Sequence, residues 1–236
     1  MKLKHLESLL SEVDIFETPK ITLEQYPTSA HIASRMLYTA EHTYSDIGSA
    51  AVVDLGTGTG MLGIAAVMMG AGNVIGIDID EDALEIAKRN IRGILCGECS
   101  DGDSEAGDDK TNGVEPTDPI PSIDLLHMDV KTIPSMHSLH KCADTVLTNP
   151  PFGTKGNKGI DVEFLRAAFH LSRGAVYSLH KTSTRAYIGK WAMRNGAVGA
   201  EPIVALRYDL PKSYDFHTRK AVDVEVDIWR FELKQC

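Results

Sequence analysis

Hydrophobic residues recur at helical spacing near the start of the chain. They predict an amphipathic helix from about residue 2 to residue 13. An extended segment is expected next, because Pro27 disfavours a helical conformation at Tyr26. Thr28 or Ser29 can then cap a second helix that turns its apolar side inward. The two helices together form a predicted N-terminal helical extension over residues 1–45.

After residue 50, continuous apolar runs alternate with helical patterns. Strands are predicted at residues 50–55 and 74–78, and helices at residues 61–69 and from Asp80 or Glu81 to about Ile91. The first strand runs directly into a glycine-rich turn at residues 56–60. Strand, helix, strand and helix at this spacing indicate right-handed crossovers and a parallel sheet covered on both faces.

The segment from about residue 93 to 122 interrupts this alternation. It is rich in Gly, Asp, Ser and Pro, and it cannot bury enough apolar surface to offset the entropy of ordering it. We therefore expect a disordered acidic insertion in a single domain that spans residues 1–236. Further strands are predicted at residues 123–126, 144–148, 175–179, 203–208 and 222–231, and helices at residues 162–171 and 183–195. The predicted fold is α/β, with one doubly wound sheet of seven strands whose last strand is antiparallel.

Charge is unevenly distributed along the chain. The formal net charge is −9, but residues 98–118 alone contribute −7. Residues 155–220 contribute +7, including a basic patch at residues 217–220, so an acidic chain can still bind a polyanion through this stretch. A solvated surface with scattered lysines is an equally acceptable interpretation.

Cysteine content and hydropathy bear on the compartment. Four cysteines at irregular spacing do not make a disulfide framework, and no apolar run approaches the roughly 20 residues that span a bilayer. Cys96 and Cys99 have half of a zinc-site spacing, but no second pair lies near them, so two ordinary thiols and no metal site are expected. These features predict a chain of the cytoplasm or nucleus, neither secreted nor membrane-bound.

The glycine turn has the composition of a nucleotide site. Gly56, Gly58 and Gly60 follow a buried strand, where the absence of Cβ atoms lets a ligand approach the backbone closely. Asp78 ends the next strand, 20 residues after Gly58, where an acid can bind both ribose hydroxyls of an adenosine. Residues 58–63 also match the dinucleotide fingerprint, so an NAD-binding oxidoreductase is an alternative.

Two further acids refine this prediction. A carboxylate at Asp54, just before the turn, favours a sulfonium or ammonium ligand and repels a pyrophosphate. Asp129 follows the third strand at the sheet edge where ligands collect, so it can accept a hydrogen bond from an adenine amino group. Capping of the next turn is an equally good role for Asp129.

Asn149, Pro150, Pro151 and Phe152 follow a buried strand at the same edge of the sheet. The Asn149 side-chain carbonyl and the Pro150 backbone carbonyl can hold the two hydrogens of an exocyclic amine and turn its lone pair toward a methyl donor. The prolines fix the backbone of these acceptors, and Phe152 offers a ring on which an extruded base can stack. The motif predicts methylation of a planar nitrogen by in-line displacement, although Asn-Pro-Pro alone could simply make a turn.

Longer blocks of sequence carry a family resemblance. Asn149–Phe152 together with the glycine turn resembles the Rossmann-like class I methyltransferases that have an N-P-P-[FYW] motif. Within this class, the chain most resembles the eukaryotic methyltransferase-like protein 5 family. The resemblance lies in blocks at residues 23–28, 35–39, 76–86, 149–155, 175–181 and 206–211. The resemblance covers nearly the whole chain.

The resemblance implies S-adenosylmethionine as cofactor, N6 of an adenine in 18S ribosomal RNA as acceptor, and a small zinc-binding partner, the Trm112-type methyltransferase activator. It implies action in the cytoplasm or the nucleus, including the nucleolus. The implied cofactor contacts are Gln25, Thr28, Gly56, Thr59, Met61, Asp78, Asp129 and Val130. The family often has cysteines where this chain has Thr57 and Thr59, and its connection at residues 93–122 is usually shorter; the longer insertion could modulate partner binding at the third strand.

The residues alone leave other functions open. A protein glutamine-N5 methyltransferase also acts on a planar nitrogen, and only the positive charge of residues 155–220 favours nucleic acid over protein. A catalytically silent scaffold that binds cofactor for stability is a third possibility, against which Asn149 argues. His31, His180 and His217 are expected to be packing or surface residues.

Overall fold

Seven strands form one mixed sheet in the computed structural model, which describes residues 1–96, 123–153, 157–210 and 222–234. The strands are β1 (Ala51–Leu55), β2 (Asn73–Asp78), β3 (Ile123–His127), β4 (Ala143–Thr148), β5 (Ser172–Lys181), β6 (Ala197–Leu210) and β7 (Val222–Leu233). Their order across the sheet is β3-β2-β1-β4-β5-β7-β6. The first five strands are parallel, and β7 is antiparallel to both β5 and β6. The predicted fold class, with its antiparallel last strand, is confirmed.

Six α-helices lie within the described residues. They are α1 (Leu3–Leu10), α2 (Ala30–Tyr44), α3 (Met61–Met68), α4 (Glu81–Ile91), α5 (Ile160–Leu171) and α6 (Arg185–Arg194). The sequence allowed two N-terminal caps for each of α2 and α4. In the structure α2 is capped by Ser29, whose hydroxyl accepts a hydrogen bond from Ile32 N. Helix α4 is capped by Asp80, whose side chain accepts a hydrogen bond from Asp82 N. Short side chains with an oxygen acceptor stabilise helix starts in this way.

The core lies in two layers, one on each face of the sheet. Helices α1, α2 and α3 pack on one face through residues such as Leu6, Met36 and Ile64. Helices α5 and α6 pack on the other through residues such as Phe169 and Ile188. Strand β7 contributes to both layers because successive side chains alternate: Ile228 to the first, Trp229 and Phe231 to the second.

Three predicted boundaries need correction. The sequence places residues 93–96 in the insertion, but Arg92–Cys96 continues α4 as a π-helical turn. The extended segment before Pro27 contains a 3-10 turn at Ile21–Leu23. Strand β6 begins at Ala197 rather than at residue 203, since this edge strand accommodates Pro202 at an irregularity in its pairing with β7.

Several predictions fall on residues 97–122, 154–156 and 211–221, which lie outside the described part of the chain. They include the remainder of the acidic insertion, the Cys96–Cys99 pair and the basic patch at residues 217–220. Among the described residues, no helix is long and apolar enough to cross a membrane. Those residues also hold no group of three or more candidate metal ligands.

Candidate active site

A cavity of about 200 Å³ opens at the carboxyl ends of β1, β2 and β4. Parallel strands bring their carboxyl ends to one edge, which is where ligands bind in sheets of this kind. The predicted site residues that line the cavity are Gln25, Thr28, Gly56, Gly58, Thr59, Met61, Asp78, Asp129, Val130, Asn149 and Pro151. Within the described part of the chain, the lining does not include Asp54, Gly60, Pro150 or Phe152. Residues far apart in sequence therefore meet at one cavity, and their roles in binding and catalysis stay predictions.

The glycine turn after β1 is held in a conformation that suits glycine. Gly56, Gly58 and Gly60 have φ values of 74°, 54° and 86°, in the left-handed region. The amides of Gly56 and Thr57 donate to the carbonyl of Ile77 at 2.8 and 2.9 Å, which ties the turn to the end of β2. The backbone of the turn consequently forms one wall of the cavity.

Asp54 lies behind this turn. Its side chain is fully buried, and its Oδ2 accepts hydrogen bonds from Thr57 Oγ1 at 2.7 Å and Gly63 N at 2.9 Å. Within the described residues, Oδ1 has no hydrogen-bond partner. Burial raises the pKa of Asp54 to about 7, although the bonds from Thr57 and Gly63 lower it. Asp54 thus shapes the turn from beneath, and a direct role in cofactor binding stays a prediction.

Asp78 is the charged residue on the cavity wall at the end of β2. Its Oδ2 accepts from Gly58 N at 2.8 Å and its Oδ1 accepts from Asp80 N at 3.0 Å. Burial raises the pKa of Asp78, while these backbone hydrogen bonds oppose the shift. Each carboxylate oxygen accepts more than one hydrogen bond, so Asp78 retains capacity for hydroxyl groups of a ligand.

Asn149 reaches the cavity from the end of β4. Thr148 Oγ1 donates to the carbonyl of Leu55 at 2.7 Å, which fastens the end of β4 to the end of β1 beside the glycine turn. The Asn149 Nδ2 donates to Thr28 Oγ1 at 3.0 Å. This bond commits the amide nitrogen and leaves the side-chain oxygen as the acceptor. The sequence predicted this acceptor, but nothing in it indicated that Thr28 would orient it.

Gln25 and Asp129 both line the cavity while bonding to protein groups. Gln25 accepts from Lys20 N at 2.8 Å through Oε1 and donates to Asp80 Oδ2 at 2.6 Å through Nε2. Asp129 Oδ1 accepts from Lys131 N at 2.9 Å and caps a 3-10 turn, one of the two roles left open by the sequence. Its second oxygen, Oδ2, is the atom that would accept a hydrogen bond from an adenine amino group, and this contact stays a prediction.

The N-terminal segment forms a wall that sequence reasoning missed in part. Besides Gln25 and Thr28, the segment lines the cavity with Phe16, Thr22, Leu23, Glu24, Tyr26 and Pro27. The Lys20 ammonium pairs with Asp80 at 2.5 Å and with Asp82 at 2.7 Å, which anchors the segment to α4. Asn157 Nδ2 donates to the Thr22 carbonyl at 2.8 Å from the opposite side. The segment is rich in polar residues, so its sequence has no hydrophobic periodicity that would predict its packing against the cavity.

His180 is buried on β5. Its Nε2 lies 2.9 Å from Ser178 Oγ, and its Nδ1 lies 3.7 Å from Asp161 Oδ2. Burial lowers the pKa of His180, whereas Asp161 raises it. His31 lies on the surface beside Glu7, 3.0 Å away. Both placements agree with packing and surface roles, and His217 lies outside the described residues.

Comparisons with known proteins extend these observations. Residues 28–95 match the family model for ribosomal protein L11 methyltransferase (PrmA). The chain is 48% identical over 231 residues to the rRNA N(6)-adenosine-methyltransferase METTL5 of Danio rerio, covering 98% of this chain and 99% of that protein. It is 43% identical over 233 residues to the Drosophila melanogaster protein of the same name, covering 99% and 97%.

A solved structure agrees with the fold. A protein of Pyrococcus horikoshii, described as a candidate RNA methyltransferase, superposes with a TM-score of 0.74 at 29% identity and covers 98% of each chain. The family-model match spans the glycine turn and Asp78 but ends before Asn149. The full-length relatives include the Asn149 half as well. This chain belongs to the methyltransferase-like protein 5 family, that of the rRNA N(6)-adenosine-methyltransferases METTL5.

Proposed function

We propose that this chain transfers a methyl group from S-adenosylmethionine to N6 of an adenine in ribosomal RNA, specifically 18S ribosomal RNA. The observation that carries the proposal is the Asn149 side chain, which is oriented by Thr28 at the cavity that Asp78 and the glycine turn line. The names of the full-length relatives support the acceptor. Action on ribosomal RNA fits the nucleus, including the nucleolus, or the cytoplasm.

The cavity residues fit S-adenosylmethionine. The carboxylate of Asp78 suits ribose hydroxyls, and the glycine turn lets a nucleoside lie close to the backbone. Phe16, Ile79 and Val130 provide apolar surface in the lining of the cavity, which suits an adenine ring. When bound, the cofactor supplies an activated methyl group on a sulfonium. The chain contributes a buried carboxyl group, Asp54, beneath the turn, and in its ionised form this group favours a positive charge nearby.

Asn149 and Pro150 would orient the acceptor amine. The Asn149 oxygen and the Pro150 carbonyl each accept one hydrogen of the amino group, which directs the nitrogen lone pair toward the methyl donor. Thr28 keeps the Asn149 amide from rotating, so this acceptor is preorganised before substrate binds. No strong base is required, because the nitrogen becomes acidic once it is alkylated.

The two alternative activities have less support. The amide of a protein glutamine is a planar nitrogen that the same geometry could hold, but the full-length relatives are named for adenosine in ribosomal RNA. An NAD-linked oxidoreductase would need the glycine turn to bind a pyrophosphate, and the buried Asp54 beneath the turn opposes that charge.

An Asn149→Ala variant tests the proposal, with Asn73→Ala as a control because Asn73 is exposed at the start of β2. Ribosomal RNA from cells lacking the protein would be incubated with each variant, and its nucleosides would be quantified by mass spectrometry. We expect N6-methyladenosine with the parent and with Asn73→Ala, and at least about 100-fold less with Asn149→Ala. Cofactor affinity by calorimetry should be nearly unchanged. Equal methylation by Asn149→Ala would refute the role of Asn149, and no product with the parent would refute the acceptor.

We further propose a Trm112-type zinc-binding activator as the partner. Strand β3 is an edge of the sheet, and edge strands can pair with a strand of another chain. Leu126 on β3 is 39% exposed, and Ile79 after β2 is 47% exposed, so apolar surface adjoins the edge. Co-expression should yield a 1:1 complex on size exclusion that Leu126→Lys weakens. Met193→Lys is the matched control, since Met193 is 53% exposed on the distant α6; equal complex formation by both variants would place the partner elsewhere.

A further inference from the structure

Lys181 ends β5 at the same edge of the sheet as Asn149. Strand β5 pairs with β4 in parallel, with Ser178 opposite Thr148, so the end of β5 lies beside the point where residues 149–152 follow β4. The Lys181 Nζ lies over the ring of Phe152, 5.5 Å from its centroid. A base that stacks on this face of the ring must therefore displace the ammonium.

The segment that begins at Lys181 is basic. Residues 181–200 contain four basic residues and no acidic one, in a chain whose net charge is −9. Arg185 in this stretch is neutralised by Asp227, to which it donates two hydrogen bonds of 2.8 and 2.6 Å. In the described part of the chain, the salt bridges include no carboxylate partner for Lys181. Among the described residues, Lys181 is therefore a cation beside Phe152 with no ion-pair partner.

We propose that Lys181 is a positioning residue that binds a backbone phosphate of the RNA strand at the target nucleotide. The inference rests on the proposed function, since it takes the adenine to stack on Phe152. A base that is turned out of its strand brings its own phosphate close to the stacking surface. The four-carbon stem lets the ammonium swing away from the ring, and a charge-assisted hydrogen bond to phosphate is stronger than the contact with the ring at this distance.

The contact would couple two events. While Lys181 lies over Phe152, it occupies the space of the incoming base. Movement of the ammonium to a phosphate opens that space and fixes the strand, so that the adenine amine can meet Asn149. Lys181 would thereby affect RNA affinity and orientation. Cofactor binding would not depend on it, because the described lining of the cavity includes Asn149 but not Lys181.

The test compares Lys181→Ala, Lys181→Arg and Lys234→Ala, where Lys234 is an exposed lysine just after the far end of β7. RNA affinity would be measured by filter binding to ribosomal RNA from cells lacking the protein, over a series of potassium chloride concentrations. Each phosphate contact with single-stranded RNA adds about 0.7 to the slope of log affinity against log salt. Lys181→Ala should lower the slope by about that amount and weaken RNA binding about 5-fold to 10-fold. Lys181→Arg should restore the slope, and Lys234→Ala should match the parent.

Methylation kinetics and cofactor calorimetry complete the comparison. We expect Lys181→Ala to raise KM for the RNA and to leave cofactor affinity unchanged. An unchanged salt slope in Lys181→Ala overturns the proposal, as does an equal loss of slope in Lys234→Ala. The binding series decides the role of Lys181 even if the parent proves not to methylate this RNA, and that outcome would overturn the proposed function separately.

Discussion

Asp54 provides a quantitative test of the electrostatics beneath the glycine turn. Its carboxyl group is fully buried, and in the described part of the chain only Oδ2 has hydrogen-bond partners, Thr57 Oγ1 and Gly63 N. An asparagine side chain at this position would have nearly the same shape. Its amide oxygen can accept both bonds, and its nitrogen would replace the unpartnered Oδ1. Asp54→Asn therefore removes the titration of this group and keeps its contacts.

The magnitude follows from proton linkage. Burial raises the pKa of Asp54 to about 7, whereas an aspartate in an unfolded chain ionises near about 3.9. Between these values the folded state binds more protons than the unfolded state, so the free energy of unfolding falls as pH rises. From about pH 5 to about pH 8, this one carboxyl group should lower the free energy of unfolding by about 2–3 kcal/mol. The loss is complete once pH exceeds the folded pKa.

Urea unfolding of the parent and of Asp54→Asn at several pH values measures this effect. The difference in stability between the two should widen in favour of the variant by about 2–3 kcal/mol from about pH 5 to about pH 8. Any constant offset from the new amide cancels in this comparison. Asp124→Asn, at an exposed position on β3, should show no such widening. A difference that stays constant within about 0.5 kcal/mol would refute the assignment of a raised pKa to Asp54.

Other side chains around the site give further predictions. Asp78→Ala should weaken cofactor binding by about 2 kcal/mol or more in calorimetry, because charge-assisted hydrogen bonds are lost; unchanged affinity would place the ribose elsewhere. Gly56→Ala should destabilise the fold by at least about 1 kcal/mol in thermal unfolding, since its Cβ would lie 2.7 Å from Phe164 at a φ of 74°, and stability equal to the parent would contradict this. Arg185→Ala should lower the melting temperature, because it removes two hydrogen bonds from the buried carboxylate of Asp227, which keeps the bond from Thr182 Oγ1; a melting temperature equal to that of the parent would contradict this.

The parts of the fold that the sequence could predict are determined by residues close together in the chain. The apolar runs at β1 and β2 indicate buried parallel strands, and the turn between β1 and α3 needs glycine at Gly56, Gly58 and Gly60 because all three have positive φ. The position of Asn149 follows too, since it comes directly after a buried strand of a parallel sheet. These features depend on a few neighbouring residues, so they can be read without a structure.

The remaining features depend on contacts between distant segments. Lys20 and Asp80 are 60 residues apart, and Thr28 and Asn149 are 121 residues apart, so no local pattern indicates either contact. The sequence predicts too short a β6 because Pro202 normally argues against a strand, whereas its edge position tolerates a proline. Lys181 could be identified as basic, but its approach to Phe152 required the β4–β5 register.

These long-range contacts make the N-terminal extension part of the candidate active site. The segment that closes the cavity is anchored to α4 through Lys20 and Gln25, and it ends at Thr28, which orients the Asn149 amide. A ligand that orders this segment would therefore also fix the acceptor for the target amine. In the proposed mechanism, cofactor binding and the orientation of Asn149 are linked through this segment, because it lines the cavity and also supplies Thr28, which holds the Asn149 amide.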